Sequence, residues 1–107
     1  MPELPPALAA YFSAAHDADT AALEKIFTAD AHVHDESHDH DGIEAIRAWR
    51  IDTYAKTAFT TRPLELVEGD GRRVVSVEVT GSVPGSPVTL THTFTLVDGC
   101  IASLDIR

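Results

Sequence analysis

The chain is short of the residues that most sharply narrow a function. It carries one cysteine, one methionine and one tryptophan among its 107 residues. A single thiol, Cys100, cannot close an internal disulfide, and in an apolar strand it reads as a small core residue, so redox chemistry has no support. No apolar run approaches the roughly 18 residues of a membrane span. The opening MPELPPALAA lacks the basic stretch and apolar core of a secretory signal. The expectation is a soluble cytoplasmic protein without a membrane partner. Basic residues are scarce too, 8 Lys and Arg against 17 Asp and Glu, for a formal net charge of -9. Phosphate backbones are held by clustered Lys and Arg, so nucleic acid is excluded as a partner.

What is present suits one compact domain over residues 1–107, since 44% of the residues are hydrophobic and no low-complexity run or internal repeat interrupts them. The charge is uneven. Residues 1–41 hold nine acids against Lys25 alone, while residues 42–107 nearly balance.

Apolar spacing predicts a helix over residues 5–16, where Leu8, Tyr11, Phe12 and Ala15 make one stripe and Pro5 and Pro6 occupy the entry turn. Asp19 is placed to cap a short second helix with the stripe Leu23, Ile26 and Phe27, and the two helices should form a hairpin. Residues 31–35, AHVHD, alternate as a short strand. Asp41 followed by Glu44 resembles a capping box opening a third helix over about residues 43–57, with a stripe of Ile43, Ile46, Arg50 and Tyr54 and with Trp49 at its flank. An arginine on such a stripe is expected to snorkel, its head in water.

Beyond residue 58 the period becomes two. FTTRPLELVE, RRVVSVEVTG, PVTLTHTFTLV and CIASLDIR read as four strands, separated by GDG, by VPGSP and by the hairpin signal Asp98-Gly99. Short turns between successive strands imply an antiparallel meander. Pro63 places its strand at an edge or at a bulge. The fold class is α+β, three N-terminal helices packed on a curved, mainly antiparallel sheet.

Two strands carry candidate chemistry. In VTLTHTFTL, His92 shares a face with Val88, Leu90, Phe94 and Leu96 and so points inward, while the intervening threonines point away. In AHVHD, Asp35 shares a face with Ala31 and Val33, opposite His32 and His34. The stretch HVHDESHDHDG, residues 32–42, offers nitrogen and oxygen ligands for zinc, nickel or iron. Parity splits them, and His38 and His40 are expected in an acidic loop without an apolar shell, so no functional metal is expected there. Metal binding through residues 32–41 is kept as an alternative. No motif calls for an organic cofactor.

The phrases AAYFSAAHDADTAALEKIFTADAHVHDE, GIEAIRAW and FTLVDGCIASLDI, in this order of elements, resemble the SnoaL-like branch of the nuclear transport factor 2-like superfamily over residues 4–107. The resemblance implies a cone in which a curved sheet and the helices enclose an apolar pocket, and frequent homodimers through the sheet face. Ketosteroid isomerase, a relative, implies more. Its aspartate base ends the first short strand, where Asp35 stands. Its first-helix tyrosine, an oxyanion donor, precedes the second helix as Tyr11 precedes Asp19. Its second donor falls on His92, where this chain departs from the pattern. The implied catalytic group is Asp35 as base with Tyr11 and His92 as donors, abstracting a proton beside a carbonyl. Phe12, Phe27, Trp49, Tyr54 and Phe94 are the candidate pocket residues, and a small apolar or carbonyl-containing molecule is the implied ligand. A non-catalytic ligand-binding or dimerising domain is the alternative on the same fold.

Overall fold

The computed structural model describes residues 3–13, 20–35, 37–56, 59–82 and 85–107, with the backbone alone at 13, 20–22 and 54–56. In chain order the elements are α1 (Pro6–Ser13), α2 (Thr20–Ile26), β1 (Phe27–Asp35), β2 (His38–Asp41), α3 (Ile43–Lys56), β3 (Phe59–Gly69), β4 (Arg72–Gly81), β5 (Val88–Val97) and β6 (Cys100–Ile106). The expected cap at Asp19 and the last turn of the first helix lie outside the described residues. None of the described helices is long and apolar enough to cross a membrane.

Local chemistry explains the element ends. Pro6 opens α1, where a missing N–H costs nothing, and the Pro5 carbonyl accepts the first helical bond from Ala9 N at 3.0 Å. Gly42 joins β2 to α3: its N–H donates to Ala31 O at 2.8 Å, its carbonyl accepts from Ile46 N at 3.0 Å, and its φ of 86° is one that residues with a Cβ rarely adopt. Asp98 and Gly99, with φ of 52° and 81°, make the tight turn that their sequence signalled.

The six strands form one open sheet in the order β2-β1-β6-β5-β4-β3, antiparallel throughout except where β1 runs parallel to β6. Two strand expectations need correction. β1 starts at Phe27 rather than at residue 31, so Phe27 belongs to the sheet and not to the second helix. His38 and His40, expected in a loop, lie in a strand: residues 38–41 form β2, hydrogen-bonded along β1. Pro63 is both at an edge and at a bulge, since β3 borders the sheet and its register shifts between Pro63 and Glu65.

Register decides which side chains meet. Across all six strands His38, Asp35, Ile106, His92, Val75 and Leu66 lie in one row, and His40, Val33, Leu104 and Phe94 lie in the next on the same face. This inner face packs against the helices. Leu8 and Tyr11 of α1, Leu23 and Ile26 of α2 and Ile46 of α3 join Val33, Val75, Val77, Phe94, Ile101 and Leu104 in a single buried cluster. Ile101 would face outward by strict alternation from Leu104. A bulge corrects it: Ser103 pairs with Thr95 but Ile101 with Leu96, leaving Ala102 extra, and Ile101 turns into the core. The outer face carries His32, His34, Ser103, Asp105, Thr93 and Thr95. Cys100 is half-buried, with Sγ donating to the Lys25 carbonyl at 3.6 Å, a structural role.

Leu104, between Val33 and Phe94 in the buried row, is 1% exposed, whereas Val97 is 50% exposed. Leu104→Ala is expected to cost about 2–5 kcal/mol and Val97→Ala less than about 0.5 kcal/mol, read from the midpoints and slopes of urea unfolding.

Candidate functional site

The site grows from the row that places Asp35, Ile106 and His92 on three adjacent strands. Two strand spacings separate Asp35 from His92, about 10 Å between their backbones. Asp35 ends β1 and is half-buried, and its Oδ2 accepts a hydrogen bond from Trp49 Nε1 of α3 at 3.1 Å. Trp49 in turn stacks on His40 of β2, with centroids 5.7 Å apart and planes 29° from parallel. The third helix thus reaches the carboxylate directly, and the edge strand reaches it through the indole.

At the other end of the row, α1 supplies an aromatic hub. The Tyr11 ring lies edge-on to Phe12 at 5.1 Å, Phe94 at 5.6 Å and Phe27 at 6.0 Å, and its centroid is 6.5 Å from that of His92. Phe12 also meets His92, at 5.8 Å, and His92 stacks on Phe94 two residues along its strand. Phe27 and Phe94, expected to line a pocket, are 2% and 0% exposed and pack as core. The Tyr54 side chain lies outside the described residues.

The residue that sequence reasoning misjudged is Arg50. Rather than snorkelling it is 3% exposed, with its guanidinium 4.4 Å over the Tyr11 ring and 5.7 Å from that of Trp49. Cation–π contact compensates a buried guanidinium in part. The signal was legible: Arg50 follows the fully buried Ile46 by one helical turn, on the stripe that faces the sheet.

His92 is 5% exposed. Burial is the main cause pushing its pKa from 6.5 down to about 4, the Leu90 backbone partly opposes this, and the Arg50 charge adds to it. The imidazole is therefore neutral at ordinary pH. Its Nδ1 is buried and has no hydrogen-bond partner among the described residues. A buried polar atom left so is uncommon and suits a group that meets a ligand.

The histidine-rich stretch divides by face. His32 and His34 point away from the helices: His32 Nδ1 bonds the Asp41 carboxylate, His32 Nε2 the Asp39 Oδ1 at 3.1 Å, and His34 Nδ1 the same oxygen at 2.7 Å. Asp41 therefore serves His32, where a helix cap was expected, and Glu44 pairs with Arg47 at 3.0 Å. Among the described residues no group of three or more His, Cys, Asp or Glu is arranged to hold a metal.

Against this geometry stand the comparisons with known proteins. The family model of the SnoaL-like domain matches residues 8–104. The chain belongs to the SnoaL-like family. A solved structure of a candidate polyketide cyclase from Sinorhizobium meliloti is 40% identical and superposes with a TM-score of 0.91, covering 97% of this chain and 95% of that one. A protein of ketosteroid isomerase-like fold from Catenulispora acidiphila, solved with trimethylamine, is 18% identical with a TM-score of 0.83 over 98% of this chain and 86% of its own. The epoxide hydrolase/cyclase-like enzyme SalBIII of pyran ring formation in salinomycin is 22% identical, with a TM-score of 0.77 over 94% of this chain and 85% of its own. The last two bear on the fold alone. No curated protein matches the chain in sequence.

The depressed pKa of His92 makes a stability prediction. Between pH 6.5 and about 4 the unfolded chain takes up a proton that the native imidazole refuses, so this group lowers stability as pH falls through that window, by about 3 kcal/mol in all. His32, whose pKa is raised chiefly by its bond to Asp41, works in the opposite sense, losing its contribution as pH rises through its folded value. Urea unfolding of the SnoaL-like domain and of His92→Phe between pH 4 and 8 separates the two: the variant should lose the acid-side slope, and an unchanged slope would contradict the assignment.

Proposed function

We propose that this SnoaL-like domain takes a small apolar or carbonyl-containing molecule between α1, α3 and the inner face of the sheet and moves a proton beside its carbonyl. Asp35 acts as base. One carboxylate oxygen removes a proton from the carbon next to the carbonyl, the C–H electron pair enters the π system, and negative charge develops on the carbonyl oxygen. Tyr11 O–H and a neutral His92 N–H donate to that oxygen, and the fixed charge of Arg50 beside them favours it further. Return of the proton from Asp35 to the same or another carbon completes an isomerisation or prepares a ring closure. Nothing else is consumed, and no cofactor enters.

The observation that carries this reading is the shared row: Asp35 and His92 face the same side of the sheet, two strands apart, with Tyr11 over His92. The likeness to a candidate polyketide cyclase at 40% identity supports the cyclase or isomerase class. The dense edge-on packing of Tyr11, Phe12, Phe27 and Phe94 favours a second reading, a non-catalytic ligand-binding or dimerising domain on the same frame. A homodimer through the outer face belongs to either reading. It is supported by Val67, 56% exposed, lying in register beside Val74 on that face.

Turnover of a panel of enolisable ketones tests the first reading against the second. Asp35→Asn is expected to lower whatever rate is found by about 10²–10⁴-fold, the usual contribution of a positioned base. An active protein whose rate survives that change contradicts Asp35 as the base.

A further inference from the structure

The outer face of the β1–β2 hairpin takes no part in the proposed reaction, yet it bears the densest set of titratable contacts among the described residues. His32 engages a carboxylate at each ring nitrogen, Asp41 through Nδ1 and Asp39 through Nε2. Only the imidazolium donates from both nitrogens, because a neutral ring has one N–H. The geometry is thus that of a protonated His32 bridging two acids of β2. His34 adds a second bond to Asp39 from β1. Among the described residues β2, a four-residue edge strand, pairs with no strand but β1. On its other face β2 presents His40 to Trp49, and Trp49 holds Asp35.

We propose that the β1–β2 hairpin is a proton-operated strap on the site: a His32 imidazolium bridging Asp39 and Asp41 holds β2 against β1, and through His40 stacked on Trp49 this fixes the carboxylate of Asp35. The regulatory meaning rests on Asp35 being the base of the proposed reaction. When His32 loses its proton it keeps a single donor. One of the two aspartates is released, the strap slackens, and the indole is free to turn from Asp35.

The groups around the strap set its direction. From β2, Asp39 and Asp41 face His32, and Asp39 also faces His34. From β6, the neutral Ser103 lies in register with His32, and Asp105 with His34. Arg107 Nε engages Asp105 at 3.1 Å and offsets its charge. On the inner side Asp35, His38 and His40 line the same two strands. The pKa of His32 is raised, first by its bond to Asp41, while that of Asp39 is lowered, first by its bond from His34. A raised histidine holds its contribution below pH 6.5 and loses it as pH climbs through the folded value. A lowered aspartate holds its contribution above 3.8 and loses it as pH falls through its own folded value. The strap is therefore closed in mildly acidic solution and opens on the alkaline side.

Trp49, the single tryptophan of the chain, reports the strap without any substrate. Its fluorescence is followed from pH 5 to 9 in the native protein and in His38→Gln/His40→Phe, which keeps a ring against the indole but removes both inner-face histidines of β2. Both should show a transition with a midpoint above 6.5, the ordinary histidine value. His32→Gln/His34→Gln should abolish it, and Asp41→Asn, a milder change should that pair fail to fold, should lower the midpoint. A flat response in the His38→Gln/His40→Phe protein, or a midpoint unmoved by the outer-face changes, overturns the proposal. Because turnover is not read, failure here is distinct from failure of Asp35 as base. Loss of activity in Asp35→Asn with no fluorescence transition leaves the reaction standing and removes the strap.

Discussion

The parallel pairing of β1 with β6 is the constraint from which the rest follows. Without it the sheet would be a C-terminal meander of four strands, and Asp35 would hang on an unattached N-terminal segment. With it, Asp35 lies beside Ile106 and Ile106 beside His92, so residues 57 positions apart in sequence share one row of one face. A one-residue slip would exchange that face for the one bearing His34. Burial fixes the register. Val33 and Leu104, neighbours in the next row, are 0% and 1% exposed, and a slip would bring both into water.

The same two-residue alternation makes the hairpin of β1 and β2 two-faced. Outside, imidazoles meet carboxylates in a largely exposed lattice whose individual bonds are weak and sensitive to salt and pH. Inside, the helix-covered face is drier and the polar groups are few: Asp35 with its indole partner, His92 held neutral, and Arg50 of α3 over the Tyr11 ring. A sequence stretch that looks like one metal-rich cluster is in fact two surfaces with different solvents.

Much of this was legible in the sequence. Period-two patterning gave all four C-terminal strands and the inward direction of His92, and parity alone put Asp35 opposite His32 and His34. What it could not give was local pairing of polar segments. HDHD has no apolar residue to announce a strand, and β2 exists because β1 offers it a ladder and its aspartates find His32 and His34 there. Local spacing makes Asp41 a cap, whereas its partner lies nine residues back on another strand. The habits of arginine suggest an exposed Arg50, although its place one turn after Ile46 points inward. Proline announced the bulge in β3, but nothing announced the one in β6: Ile101 is buried by the extra Ala102, an insertion that alternation cannot see.

The central claim is that register brings the Asp35 carboxylate, its indole clamp and His92 to the helix-covered face. Isotope-edited nuclear Overhauser spectra of the uniformly labelled protein address it directly. The Trp49 indole proton should show contacts to the Asp35 Hβ protons and the His40 ring, and the His92 ring should show contacts to the Tyr11 and Phe12 rings. Contacts from that indole proton to His34, or a His92 ring without contact to Tyr11 and Phe12, would contradict the account.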